Sequence, residues 1–114
     1  MLRTYTFPVG AVQEFALAGA GLVVQLNAGK VQILKNGALV KALTLPAGAR
    51  MRDYAEGILL YERGGEIHGL RVANGKDVLL RHGAHAQLEH NGLSYAVGTR
   101  VYSVAMVNVL AMMR

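Results

Sequence analysis

The stretch Gly57–Leu80, GILLYERGGEIHGLRVANGKDVLL, sets the tightest limit on what this chain can fold into. It carries two turn signals, Gly64-Gly65 and Asn74-Gly75, ten residues apart, with apolar runs before, between and after them. Runs this short, rich in Ile, Leu, Val and Tyr and bounded by glycine, suit strands joined by tight turns. A helix is a poor alternative, because VVQLNAGKVQILKNG and its counterparts are broken by glycine too often to keep an apolar stripe at 3.6 spacing.

The pattern repeats. FALAGAGLVVQL (Phe15–Leu26), MRDYAEGILLYE (Met51–Glu62) and AQLEHNGLSYAV (Ala86–Val97) align on Gly21, Gly57 and Gly92, spaced by 36 and 35 residues. Downstream, KVQILKNG (Lys30–Gly37), EIHGLRVANG (Glu66–Gly75) and RVYSVAMVN (Arg100–Asn108) each start on a charged residue followed by a β-branched one. After a turn come ALVKALTL (Ala38–Leu45), KDVLL (Lys76–Leu80) and VLAMM (Val109–Met113). One repeat is therefore four short strands, and self-similarity at such a period marks a repeat architecture. Asn36-Gly37 and Asn74-Gly75 are expected to be two-residue type I′ turns, which need positive φ at both positions. The last segment, VYSVAMVNVLAMMR, has Ala, Met and Leu that tolerate helix; its register with the earlier repeats makes two strands the expectation.

Four antiparallel strands per repeat with glycine turns at fixed offsets resembles the blade of a β-propeller. GILLYERGGEIHGLRVANGKDVLL is similar in style to blades of the TolB-like and WD-type bacterial propellers, and the resemblance covers nearly all of Val12–Met113. There is no Trp-Asp dipeptide, no Gly-His pair, no tryptophan docking motif and no Asp box, so the ligands of those subfamilies are not implied. The resemblance implies an all-β fold in one domain, residues 1–114: a leading strand Leu2–Phe7, blade one over about 11–45, blade two over about 49–80 and blade three over about 84–113. Closed propellers have roughly 4–8 blades. Three blades form an open arc with two uncovered ends, and two copies would close a six-bladed ring as a homodimer. The leading strand would complete a blade of the neighbouring subunit, competing with or replacing Val109–Met113 as an outer strand.

Composition agrees with a covered surface. Hydrophobic residues are 53% and charged residues only 17% of the chain, against roughly 25% charged in an average soluble domain. Some apolar surface is therefore expected to meet another chain. There is no cysteine, which excludes disulfides and thiolate metal sites. MLRTYTFPVG has no apolar run of signal-peptide length, and no window approaches the ~18 apolar residues of a membrane helix. Cytoplasmic production without membrane association is the default expectation. The net charge of +5 is spread singly from Arg3 to Arg114 without interleaved aromatics, so nucleic acid is not the favoured partner.

The candidate sites are few. Glu14, Asp53 and Glu89 fall at or near the innermost strand of each repeat and are weak channel-lining, ligand-binding candidates. His82, His85 and His90, in RHGAHAQLEH, are a weak metal candidate, since imidazole suits zinc, nickel or copper. The bland alternative is a polar loop between blades. Ser94 and Ser103 lie in predicted strands, outside any nucleophile elbow. Tyr61 and Tyr95 occupy near-equivalent places and read as inter-blade packing with the hydroxyl reaching an edge. The aligned positions Gln25, Tyr61 and Ala96 do not repeat, which counts against equivalent sites in each blade. No cofactor is expected. The expectation for function is a non-catalytic, self-assembling propeller scaffold or protein-interaction module, either a natural half-length chain or an engineered or excised propeller half. The alternatives are a small-ligand or carbohydrate-binding propeller using the channel or the inter-blade crevices, and a hydrolase using the channel carboxylates.

Overall fold

Turns with two successive residues at positive φ set the hairpins of this chain. Asn36-Gly37 (φ 52° and 83°), Glu56-Gly57 (54° and 74°) and Gly64-Gly65 (57° and 80°) have the backbone that a type I′ turn demands. Asn74-Gly75 departs from expectation. Arg71 pairs with Lys76, so the loop is four residues long, and only Gly75 has positive φ. The Gly75 N–H closes on the Arg71 carbonyl at 2.8 Å, while the Asn74 side chain accepts from the Lys76 N–H at 3.0 Å. Asparagine thus acts through its side-chain oxygen here.

The computed structural model describes residues 7–18 and 21–114, without the side chains of Leu17 and Ala18. The expected leading strand Leu2–Phe7 lies outside the described residues, Phe7 excepted. The described chain is all-β, with one short helix. Sheet one contains β1 (Glu14–Ala18), β2 (Gly21–Gln25), β3 (Lys30–Lys35) and β4 (Ala38–Thr44). Sheet two contains β5 (Arg50–Ala55), β6 (Ile58–Arg63), β7 (Glu66–Arg71) and β8 (Lys76–His82). Among the described residues sheet three has only β9 (Ala84–Glu89), β10 (Gly92–Val97) and β11 (Arg100–Ala105). Each is a simple antiparallel meander, an arrangement compatible with blade-like repeats.

The expected outer strand of the third repeat is corrected by the structure. Residues Met106–Met112 form a helix, α1, and Val109 and Met113 are fully buried. Their core cluster also contains Ile58, Leu60, Ile67 and Leu80 of sheet two and Leu88, Leu93 and Tyr95 of sheet three. Met106, Val109 and Met113 recur at 3- and 4-residue spacing, which is one face of a helix. As a strand, Met106 would point to the face opposite Val109 and Met113, and the three could not share one core. Burying that face between two sheets overrides the register argument.

The sheets pack face to face. Val23, Val31 and Ile33 of sheet one meet Met51, Leu59 and Tyr61 of sheet two. The opposite face of sheet two, through Leu60 and Ile67, meets sheet three. The first strands β1, β5 and β9 lie side by side along one edge of the stack. Gly92 opens β10 at φ 152°, where an added Cβ would sit 2.2 Å from the Val104 carbonyl oxygen of β11. Gly92→Ala is expected to lower the unfolding free energy by about 2–4 kcal/mol, from backbone strain and a clash that only a backbone shift can relieve. Urea denaturation midpoints check this.

Candidate functional site

The first strands are tied to the preceding sheet by side chains from one row. Gln25 stands opposite Val31, Glu62 opposite Ile67 and Ala96 opposite Val101, so these three hold the same place in their sheets. The sequence alignment slips here by one residue, because the β2–β3 loop Asn27–Gly29 is longer than Gly64-Gly65. In the corrected register two of the three positions do the same thing. Gln25 Oε1 accepts from the Met51 N–H at 2.7 Å, and its Nε2 donates to the Ala49 carbonyl at 2.9 Å. Glu62 Oε2 accepts from the Ala86 N–H at 2.9 Å and pairs with Arg52 Nε at 2.9 Å. Gln25 is buried, so both of its amide groups must be satisfied internally. Ala96 has no acceptor to offer.

A cleft of about 630 Å³ opens along the edge formed by the first strands. Asp53 and Glu89 line it, together with Arg52, Tyr54, Gln87 and His90. Glu14 is not among its walls; it pairs with Arg50 at 3.3 Å. The Asp53 carboxylate accepts from the Leu88 N–H at 2.8 Å and the Tyr54 N–H at 2.9 Å. It therefore braces β5 against β9. Glu89, His90 and Gln87 are exposed and present polar groups to the cleft. This arrangement can hold a small polar molecule by hydrogen bonds.

His82, His85 and His90 are not brought together. His82 ends β8, His85 lies in β9 at φ 54°, and His90 sits in the turn beyond the other end of β9. An extended strand rises about 3.3 Å per residue, so roughly 16 Å of chain separates His85 from His90. Among the described residues no three His, Asp or Glu side chains are placed to hold a metal ion.

Reading the sequence missed a polar cluster on sheet two. The Tyr61 hydroxyl donates to Asp77 Oδ2. His68 Nδ1 lies 2.9 Å from Asp77 Oδ1, and its Nε2 lies 3.0 Å from Glu66 Oε1. The Tyr61 and His68 rings pack with centroids 4.9 Å apart. Tyr61 and His68 are opposite each other on β6 and β7, so the signal was present once strand register was known. Burial, then the hydrogen bond to Asp77 and its charge, hold the Tyr61 phenol above its ordinary value. Tyr95 and Tyr102 form the corresponding ring pair in sheet three, with centroids 5.6 Å apart.

Comparison with protein-family models, with curated proteins and with solved structures gives no match for this chain. The class stated by the structure is thus an all-β chain of stacked antiparallel meanders.

Gln25→Ala leaves the Met51 N–H and Ala49 carbonyl without partners and is expected to cost about 2–4 kcal/mol in urea denaturation. Glu14→Gln, at a solvent-exposed pair, should stay within about 0.5 kcal/mol of wild type. The raised Tyr61 pKa means that the folded chain keeps its phenolic proton where the unfolded chain has lost it. That contribution is whole below the ordinary value of 10.0 and is lost as pH rises above it toward the folded value. The stability advantage of wild type over Tyr61→Phe should therefore shrink between about pH 9 and about pH 11 in paired denaturation curves.

Proposed function

We propose that the chain is a non-catalytic β-propeller scaffold, three blades that a second copy closes into a six-bladed ring, serving as a protein-interaction module. One row of residues carries this reading. Val31, Ile67 and Val101 are the second residues of β3, β7 and β11. Val31 and Ile67 are 0% exposed beneath the following sheet, whereas Val101 is 78% exposed. At the other end Phe15, which stands opposite Val24 as Met51 stands opposite Tyr61, is 68% exposed against 1% for Met51. Val101 and Phe15 are thus exposed at positions that a neighbouring sheet covers inside the stack, while Val24, opposite Phe15, is 1% exposed. A face-to-face contact of unlike ends closes into a ring when the rotation allows.

A second reading rests on the cleft. Its exposed Glu89, His90 and Gln87 beside Tyr54 suit a small polar ligand such as a carbohydrate, and dimer closure would place two such clefts around one axis.

Light scattering after gel filtration tests the scaffold. The expected mass is twice the 12.2 kDa chain mass, and Val101→Lys, which places a charge at the junction, is expected to shift the wild-type dimer at least tenfold toward monomer. A folded wild-type monomer across all dilutions overturns the ring, and the Ser94 and Ser103 face would then be a polar cap.

A further inference from the structure

We propose that the free edge of β11 takes Leu2–Phe7 of a second copy as the outer strand that sheet three lacks. This rests on the ring reading and names the contact that would secure it.

The vacancy comes from α1. In sheets one and two the third strand pairs on both sides, β3 with β2 and β4, and β7 with β6 and β8. Among the described residues β11 pairs with β10 only. The residues that would have followed as an outer strand are committed elsewhere, with Val109 and Met113 fully buried between sheets two and three. Recovering them for an outer strand would empty that core.

The edge itself is suited to pairing. Natural sheets blunt exposed edges with charge, proline, bulges or short length. Arg100–Ala105 has six residues, one charge and no proline, and its pairing with β10 runs without a register shift. Val101 and Tyr102 are exposed along it.

Chain order identifies the occupant. Outer strands lead directly into the first strand of the next sheet: five residues (45–49) join β4 to β5, and Gly83 alone joins β8 to β9. Leu2–Phe7 is six residues long, matching β11, and six residues (8–13) join it to β1. Its sequence, LRTYTF, is dominated by residues of high strand preference. It therefore stands where the outer strand of a sheet preceding sheet one belongs. Among the described residues no sheet precedes sheet one, and β11 has no outer partner. In a two-copy ring the third sheet of one copy precedes the first sheet of the other, so the spare strand and the vacant edge are neighbours. Pairing them adds backbone hydrogen bonds to each of the two junctions.

Cysteine cross-linking tests this, since the chain has no cysteine of its own. Arg3→Cys, Thr4→Cys and Tyr5→Cys, three adjacent positions that bracket the unknown register, are each mixed with Ser103→Cys under mild oxidation. A disulfide-linked heterodimer is expected for at least one pair, at a yield at least tenfold above the same variants mixed with Val40→Cys, an exposed control on β4. The wild-type mass is measured in parallel. A wild-type dimer with no heterodimer above control at any register overturns the strand exchange and leaves the ring standing. A wild-type monomer overturns both. A Thr4→Cys/Ser103→Cys chain that closes a disulfide within one chain also overturns the exchange, because the strand then pairs with its own copy.

Discussion

Each sheet in this chain buries one face against the next, and the rest of the structure depends on that contact. A meander of three or four strands with apolar residues on both faces leaves apolar area in water unless neighbouring elements cover both. Val23, Val31 and Ile33 find cover under Met51, Leu59 and Tyr61, and Leu60 and Ile67 find it under sheet three. The side-chain period of two forces this: consecutive residues such as Leu59 and Leu60 point to opposite faces, so a strand apolar throughout needs a neighbour on each side. At the outer faces of the stack Phe15 and Val101 stay exposed. Helix α1 relieves part of the problem by filling the space between sheets two and three, at the cost of the strand that would have covered β11.

Hydrogen bonds fix how the sheets meet. Hydrophobic contact is non-directional and would tolerate sliding of one sheet over the next. Gln25 and Glu62 remove that freedom, because each accepts from a particular backbone N–H on the following first strand. Asp53 adds a third tie, from β5 to the Leu88 N–H. Among the described residues no buried side-chain nitrogen or oxygen is left without a partner. The carboxylates nearest the cleft are thus largely occupied in holding strands, and the polar groups still presented to it come from Gln87, Glu89 and His90.

Much of this was legible in the residues. Asn36-Gly37 and Gly64-Gly65 announce hairpins because few other residues take positive φ at both turn positions. The placement of Glu14, Asp53 and Glu89 on β1, β5 and β9 followed from the repeat. The partners of those side chains did not. Whether Asp53 faces a cleft or braces a neighbouring strand depends on how sheets two and three are offset, which no local pattern encodes. The Gln25 and Glu62 pair was hidden by a single extra loop residue, since a one-residue slip in register exchanges the faces of a strand. His85 and His90 looked close in sequence, and an extended strand holds them apart.

By itself the sequence determined the strand-and-turn grammar, the period of about 35 residues and the absence of thiol chemistry, because these follow from backbone sterics and from composition. Only the tertiary structure decided the last segment. Met106–Arg114 is locally compatible with strand or helix, and the space between sheets two and three selects the helix by burying Met106, Val109 and Met113 on one side. It also decided which polar side chains reach across a junction, since that requires two sheets to be in place before the distance between an oxygen and a backbone N–H has any meaning.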